Sequence, residues 1–291
     1  MNTPNNNVKD MYLSPSSINC FNQCPKKFWY HYFERLPEKP SINLVKGSAV
    51  HYALETLFDM KKFIKGNYKK ELFEFAKKDY LKKMVMKDLE ITDEEKQEHL
   101  EDGENIIRIF INRLCDQIDN LLISKKASSP THAFHLLKPQ FRELKLSDSE
   151  LKVRGVIDTV QKDFDDNLTL VDYKTSNKYK NVFSNDYKLQ LAIYAYLYKK
   201  NEGVNVEYLC INYLRFGESF YIDNTPDLIR KAIFHINNVR LFIQLNDKEE
   251  QYFKQESKLC EYCSYYEQCF GKKVEQNKET KTKKGDKKNE Q

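Results

Sequence analysis

The sequence predicts an α/β fold in which a few short strands are interleaved with amphipathic helices. Three observations carry that expectation. An apolar hairpin lies near the middle of the chain, at Leu151–Thr175. Two further strands, Val204–Leu214 and Ser219–Ile222, follow it after an intervening helix. Long stretches on both sides repeat apolar residues at the helical spacing.

In chain order, residues 1–12 are polar and Asn-rich and read as disordered. Ser14 followed by Pro15 is a helix start, and the helix should run through Phe21. Pro25 breaks or restarts it directly after Cys24 in the segment CPKKFWYHYFERL, and Pro37 and Pro40 close that segment. A third helix spans about Gly47 to Ile64, with Val50, Leu54, Leu57, Phe58 and Ile64 as its buried stripe and His51 at the stripe's edge. Two more amphipathic helices, Tyr68–Leu89 and Asp93–Ser124, carry mixed Lys and Glu outside and form a solvated helical insert at about 65–127. After Ser128-Ser129-Pro130, residues Phe134–Leu146 read as a strand leading into the hairpin.

The hairpin turns at Asp163-Phe164-Asp165-Asp166-Asn167. On its second strand Leu168, Leu170, Asp172 and Lys174 share one face, because side chains alternate along a strand. Asp158 on the first strand lies against Asp172 when the two pair in register. Two carboxylates converging beside an ammonium describe a divalent-metal site with an adjacent cation, the chemistry of phosphodiester hydrolysis. An exposed charge pair would read the same way from D-x-K alone. Beyond Thr175 a polar loop, SNKYKNVFSN, precedes a helix at Asp186–Lys200, on which Gln190 and Tyr194 stand one above the other. A last amphipathic helix covers Thr225–Leu245.

Composition is globular, with 40% hydrophobic and 31% charged residues. No run approaches the roughly eighteen apolar residues of a membrane span. The N-terminal MNTPNNNVKD has no apolar segment, so no secretory signal is expected and the compartment should be a reducing cytoplasm. The formal charge of +5 belongs mostly to residues 271–291, where eight lysines face four acids; that tail should be disordered. The nearly neutral body gives no argument of its own for nucleic-acid binding.

Seven cysteines in a reducing compartment suggest metal ligation before disulfides. Cys260, Cys263 and Cys269 form C-x2-C-x5-C, and a fourth ligand would come from Cys20 or Cys24 near the other end of the chain. Zinc and an iron–sulfur cluster both fit this spacing, and either would tie the two ends of the domain together. Cys115 and Cys210 fall in apolar patterns and read as core.

The ordered set CPKKFWY, GSAVH, GVID, VDYKT and QLAIYAYL, followed by the three cysteines, resembles the RecB-like branch of the PD-(D/E)xK nucleases. It is most similar to the iron–sulfur members, AddB-type nuclease domains and CRISPR-associated RecB-like exonucleases. The likeness covers about Leu13 to Phe270 as a single domain, with the cysteine segment at 258–270. It implies a restriction-endonuclease-like fold, a mixed central sheet flanked by helices, and a DNase using Mg2+ or Mn2+. By position it implies His51, Asp158, Asp172 and the Tyr173 carbonyl as metal ligands, and Lys174 as the catalytic lysine. Gln190 and Tyr194 match the helix motif that steadies that lysine and the scissile phosphate, and Glu143 sits where some members carry a further acid. Cys24, Cys260, Cys263 and Cys269 match the ligands of a 4Fe–4S cluster, favouring the cluster over zinc and Cys24 over Cys20. Where many relatives repeat an aspartate three positions after the GxxD acid, this chain has Gln161. No G-x4-G-K-[ST] loop is present, so the chain would act alone or borrow a helicase motor from a partner.

The implied activity is single-strand or end-directed DNA cleavage in repair, recombination or CRISPR spacer processing. Two other readings compete with it: a non-enzymatic DNA-binding or assembly subunit that keeps the fold and cluster, and a zinc-stapled RNA-binding module. The aromatics of CPKKFWYHYF and CEYCSYYEQCF read either as core packing or as a platform for stacking bases.

Overall fold

A computed structural model describes residues 9–38, 41–63, 66–86, 89–177 and 184–271. The expectations for residues 1–8, Pro40, Ile64, most of the loop after Thr175 and the lysine-rich tail lie outside the described residues.

The chain opens with α1 (Pro15–Gln23). Ser14 caps it reciprocally: its Oγ accepts the Ser17 N–H, and its own N–H donates to Ser17 Oγ. Cys24 is extended, and Pro25 restarts the chain as α2 (Pro25–Phe28), which widens into a π-helical turn at Trp29–Phe33. Phe28, Trp29 and Tyr30 are buried there, so these rings are core.

Helix α3 spans Ile42–Leu57, starting a turn earlier than expected because Ile42 and Val45 already belong to its packed face. It stops at Phe58, whose ring stacks on Phe134 at 5.3 Å, instead of continuing toward residue 64. Helix α4 (Tyr68–Lys83) is capped by Asn67 and ends before Leu89. Helix α5 (Asp93–Ile123) starts at a Thr92–Glu95 capping box.

The strand expected at Phe134–Leu146 is wrong in its first part. Ser129 caps α6 (Pro130–Leu136), with Pro130 at its first position, the same start signal as Ser14-Pro15. Strand β1 (Phe141–Asp148) follows. Then come β2 (Val153–Lys162), β3 (Leu168–Lys174), α7 (Asn185–Glu202), β4 (Tyr208–Tyr213), β5 (Glu218–Asp223), α8 (Pro226–Leu245) and the short α9 (Tyr266–Phe270).

The strands form one sheet in the order β1-β2-β3-β4-β5. Every neighbouring pair is antiparallel except β3 and β4. A parallel pair needs a crossover, and α7 provides it. The fold is therefore a mixed sheet flanked by helices.

One face of the sheet packs Ile157, Val160, Leu170, Leu209 and Ile211 against α7, α8 and α1. The other packs Val171, Tyr173, Cys210 and Leu214 against α3, α4 and α5. The stretch expected as a solvated insert thus forms much of the second helical layer. Its outer faces are charged, but Leu72, Ile107, Leu114 and Ile118 are buried. Cys115 and Cys210 are buried as expected. Among the described residues no helix is long and apolar enough to cross a membrane.

Candidate active site

The last two inward side chains of β3 are Asp172 and Lys174. Asp172 is buried, and Lys174 Nζ lies 2.6 Å from its Oδ2. Helix α7 lies across this face and delivers Gln190 between them. The Lys174 ammonium donates to Gln190 Oε1 at 3.0 Å. Gln190 Nε2 donates to Asp172 Oδ1 at 2.9 Å and to the Tyr194 hydroxyl at 3.1 Å. Gly155 makes room for this arrangement, since a Cβ there would stand 2.7 Å from the Tyr194 ring.

Asp158 approaches from β2. The ladder between β2 and β3 ends at the Thr159–Val171 pair, so Asp158 lies opposite Asp172 in register but beyond the last paired residues. Its Oδ2 accepts the Tyr173 N–H at 2.6 Å, and His51 Nδ1 sits 3.1 Å from its Oδ1. His51 comes from α3. One turn earlier, Gly47 lets that helix close on the end of β3, where a Cβ would meet Thr175 Oγ1 at 3.3 Å.

Glu143 completes the group from β1. Its backbone is left-handed at φ 45°, and the β1–β2 pairing skips Glu143 and Asp158. On either side of that break, Phe141 with Val160 and Leu144 with Ile157 all face the same core. The two acids therefore occupy a kink shared by both strands. His51, Glu143 and Asp158 each offer a ligand atom, all within 4.8 Å of one another.

Every sequence-predicted residue of this group is found at one end of the sheet. Asp172 is outside the three-ligand group, because Lys174 and Gln190 engage its carboxylate while Glu143 takes the third place. Tyr173 also meets Asp158, its backbone N–H donating to the carboxylate.

The electrostatics match a site built around positive charge. Burial pushes the Glu143 carboxyl up to about 7, and Asp158 and Glu55 add to the shift. Burial also pushes Asp172 up against the pull of Lys174, while Asp172 keeps the buried Lys174 ammonium protonated. Burial alone would lower the His51 pKa, but the hydrogen bond and charge of Asp158, with Asp172 and Glu143 behind it, hold it above the ordinary value. Carboxylates converging on one imidazole, with a single lysine beside them, can hold a divalent cation next to an ammonium.

The family model of the PD-(D/E)XK nuclease superfamily matches residues 12–270. The chain belongs to that superfamily. No curated protein matches it. Among solved structures it is similar to a "Putative exonuclease" from Eubacterium rectale, at 14% identity and a TM-score of 0.45, over 91% of this chain and 93% of that one.

This PD-(D/E)XK nuclease has a second group of ligand-type residues. Cys24, Cys260, Cys263 and Cys269 line one cavity of ≈ 190 Å³. The Gln255 N–H points at Cys24 Sγ at 3.5 Å, and the Ser257 N–H at Cys260 Sγ at 3.4 Å. Cys20 packs against the core and does not line the cavity, and burial pushes its thiol up to about 12. Among the described residues no three cysteine sulfurs lie within 4.8 Å of one another.

Some of the residues that brace the site carry no signal in the sequence pattern. Arg142 braces α3 to β1, donating to the Glu55 carbonyl and to Asp59. Lys46, Asp102 and Arg215 form an ionic network beside the end of β3. Their positions carry no spacing pattern, since each comes from a different element.

Proposed function

We propose that this chain hydrolyses phosphodiester bonds in DNA, using Mg2+ or Mn2+ held by His51, Glu143 and Asp158. The observation that carries the reading is the convergence of those three ligand atoms beside the buried Asp172–Lys174 pair. Two carboxylates suit either ion, and the imidazole favours Mn2+ as well. A bound ion supplies a polarised phosphate oxygen and a more acidic water.

The side chains supply the rest. Asp158 is fixed in orientation by the Tyr173 N–H and by His51. Asp172 stands outside the three-ligand group, oriented by Lys174 and Gln190. Lys174 stays charged in a largely buried position and can donate to a phosphoryl oxygen as negative charge grows there. Gln190 holds both members of the ion pair at once, and Tyr194 fixes Gln190. The resemblance to RecB-like nucleases supports single strands or DNA ends as the substrate.

The same reading assigns a 4Fe–4S cluster to Cys24, Cys260, Cys263 and Cys269. Four sulfurs around one cavity fit a bridged group, and two backbone N–H groups aimed at them are the kind of contact that tunes cluster thiolates. A single zinc needs sulfurs only about 3.8 Å apart. Among the described residues no three of these sulfurs lie within 4.8 Å of one another, and the resemblance favours the larger group.

The test is cleavage of end-labelled single- and double-stranded DNA in Mg2+ and in Mn2+. Wild type should cut, and Lys174→Ala should lose roughly 100-fold or more while keeping its fold. Retained metal-dependent cutting by Lys174→Ala overturns the assignment. A wild type that binds DNA and never cuts it would instead be a non-enzymatic subunit.

A further inference from the structure

The Lys174 ammonium has three N–H donors to place in a position that is largely closed to water. Gln190 takes one at 3.0 Å, while the Asp172 carboxylate pairs with the charge at 2.6 Å without completing a hydrogen bond. On the remaining side stands the ring of Tyr187, with its centroid 4.7 Å from Nζ. Nothing in the sequence pattern singled this tyrosine out, yet it lies one turn before Gln190 and two before Tyr194 on the same face of α7.

The ring is held from both ends. Its backbone N–H is tied to the cap of α7, donating to Ser184 Oγ at 3.3 Å. Its edge meets the ring of Tyr213 at 6.4 Å and 60°. Tyr213 is the residue paired with Lys174 across the parallel β3–β4 register. The crossover helix and the neighbouring strand therefore both press this ring toward the lysine.

We infer that Tyr187 is a positioning residue for Lys174, its ring face closing a three-sided cradle with Asp172 and Gln190. The face of a phenol ring is negative and attracts a cation, and the attraction grows when water is excluded. An ammonium without that third wall keeps its ion pair and one hydrogen bond but gains freedom to swing about them. The inference rests on the reading of Lys174 as the group that acts on the phosphate. The role belongs to the ring and needs no hydroxyl, so it differs from a packing role in one respect. Phenylalanine should preserve it, and an aliphatic side chain of similar bulk should not.

The experiment uses the full chain and the variants Tyr187→Phe, Tyr187→Leu and Tyr187→Met. Steady-state cleavage of labelled single-stranded DNA in Mn2+ should show Tyr187→Phe within about twofold of wild type. Tyr187→Leu and Tyr187→Met should both lose about tenfold to thirtyfold in kcat with KM unchanged, the size expected of a desolvated cation–π contact. Two aliphatic variants guard against one that fails to fold. Carbon-13 spectra of lysine methylenes read the cradle without any cleavage, with the Lys174 signal assigned by its loss in Lys174→Ala. Ring-current displacement of that signal in wild type and Tyr187→Phe, lost in Tyr187→Leu, supports the cradle. Wild-type kcat in both aliphatic variants, or an undisplaced wild-type signal, overturns it. A displaced signal in a wild type that cuts no DNA supports the cradle and sinks only the nuclease reading.

Discussion

A strand has period two, and this alone puts Asp172 and Lys174 on one face of β3, where Gln190 holds both. Asp158 followed from counting the hairpin register. Gln190 and Tyr194 followed from the helical repeat, and the structure adds the hydrogen bond between them. Glu143 was not legible from pattern, because its approach depends on a left-handed backbone at a break in the ladder. No composition signal marks such a kink in a residue other than glycine. Gly155 is a position where the motif has a packing reason. In Gly155→Ala the new methyl must displace the Tyr194 ring or bend β2. The expected cost is about 1–3 kcal/mol of stability, read as a lower urea midpoint. Cleavage should fall with it, because Tyr194 is what steadies Gln190. An unchanged midpoint would show that the ring has room to move.

At the scale of elements, the helices with explicit start signals were placed well. Ser14-Pro15 and Thr92–Glu95 behave as their caps dictate. The misplaced element, α6, carried the same Ser-Pro signal at Ser129-Pro130, overridden by the apolar run that follows it. The larger surprise was the second helical layer, because two amphipathic helices with charged outer faces look alike whether they pack on a sheet or on each other. One ionic network ties that layer to the end of the sheet that carries the candidate site. Buried Lys46 on α3 donates to Asp102 on α5 at 2.5 Å, and Arg215, just after β4, donates to the same carboxylate at 2.6 Å. Arg215 holds the Asp102 carboxyl at about 2, against burial and with help from Lys46, below its usual 3.8. A lowered folded-state pKa means that this stabilisation is complete above about pH 4 and lost as pH falls through 2. Asp102→Asn should cost about 3–5 kcal/mol at neutral pH, since it leaves a buried lysine without its counter-charge. Its melting temperature should also fall less steeply than that of wild type over the same acid range. Parallel acid profiles for the two proteins would remove Asp102 from the account.

For the whole molecule, the metal group proposed at the cysteines would join segments from near the two ends of the described chain. The spacing left Cys20 and Cys24 as alternatives, and the end of α1 separates them. Cys20 sits inside the helix, against the core, while Cys24 lies just past it on extended backbone and lines the cavity with the three C-terminal cysteines. Anaerobic purification should give a brown protein absorbing near roughly 400 nm, with iron and sulfide in place of zinc. Cys24→Ser should lose the iron and much of the stability, while Cys20→Ser should keep both. Zinc in place of iron would show that a smaller ion clips the ends, and leave the nuclease site untouched.

We propose that one divalent ion, gripped by one imidazole and two acids on three separate elements, makes this chain cut DNA. A Mn2+ titration followed at once by calorimetry and by cleavage of labelled single-stranded DNA tests it most directly. Wild type should bind and begin to cut over the same range of Mn2+, and Asp158→Asn should lose both together. Cleavage that persists in excess chelator, or survives intact in Asp158→Asn, would contradict it.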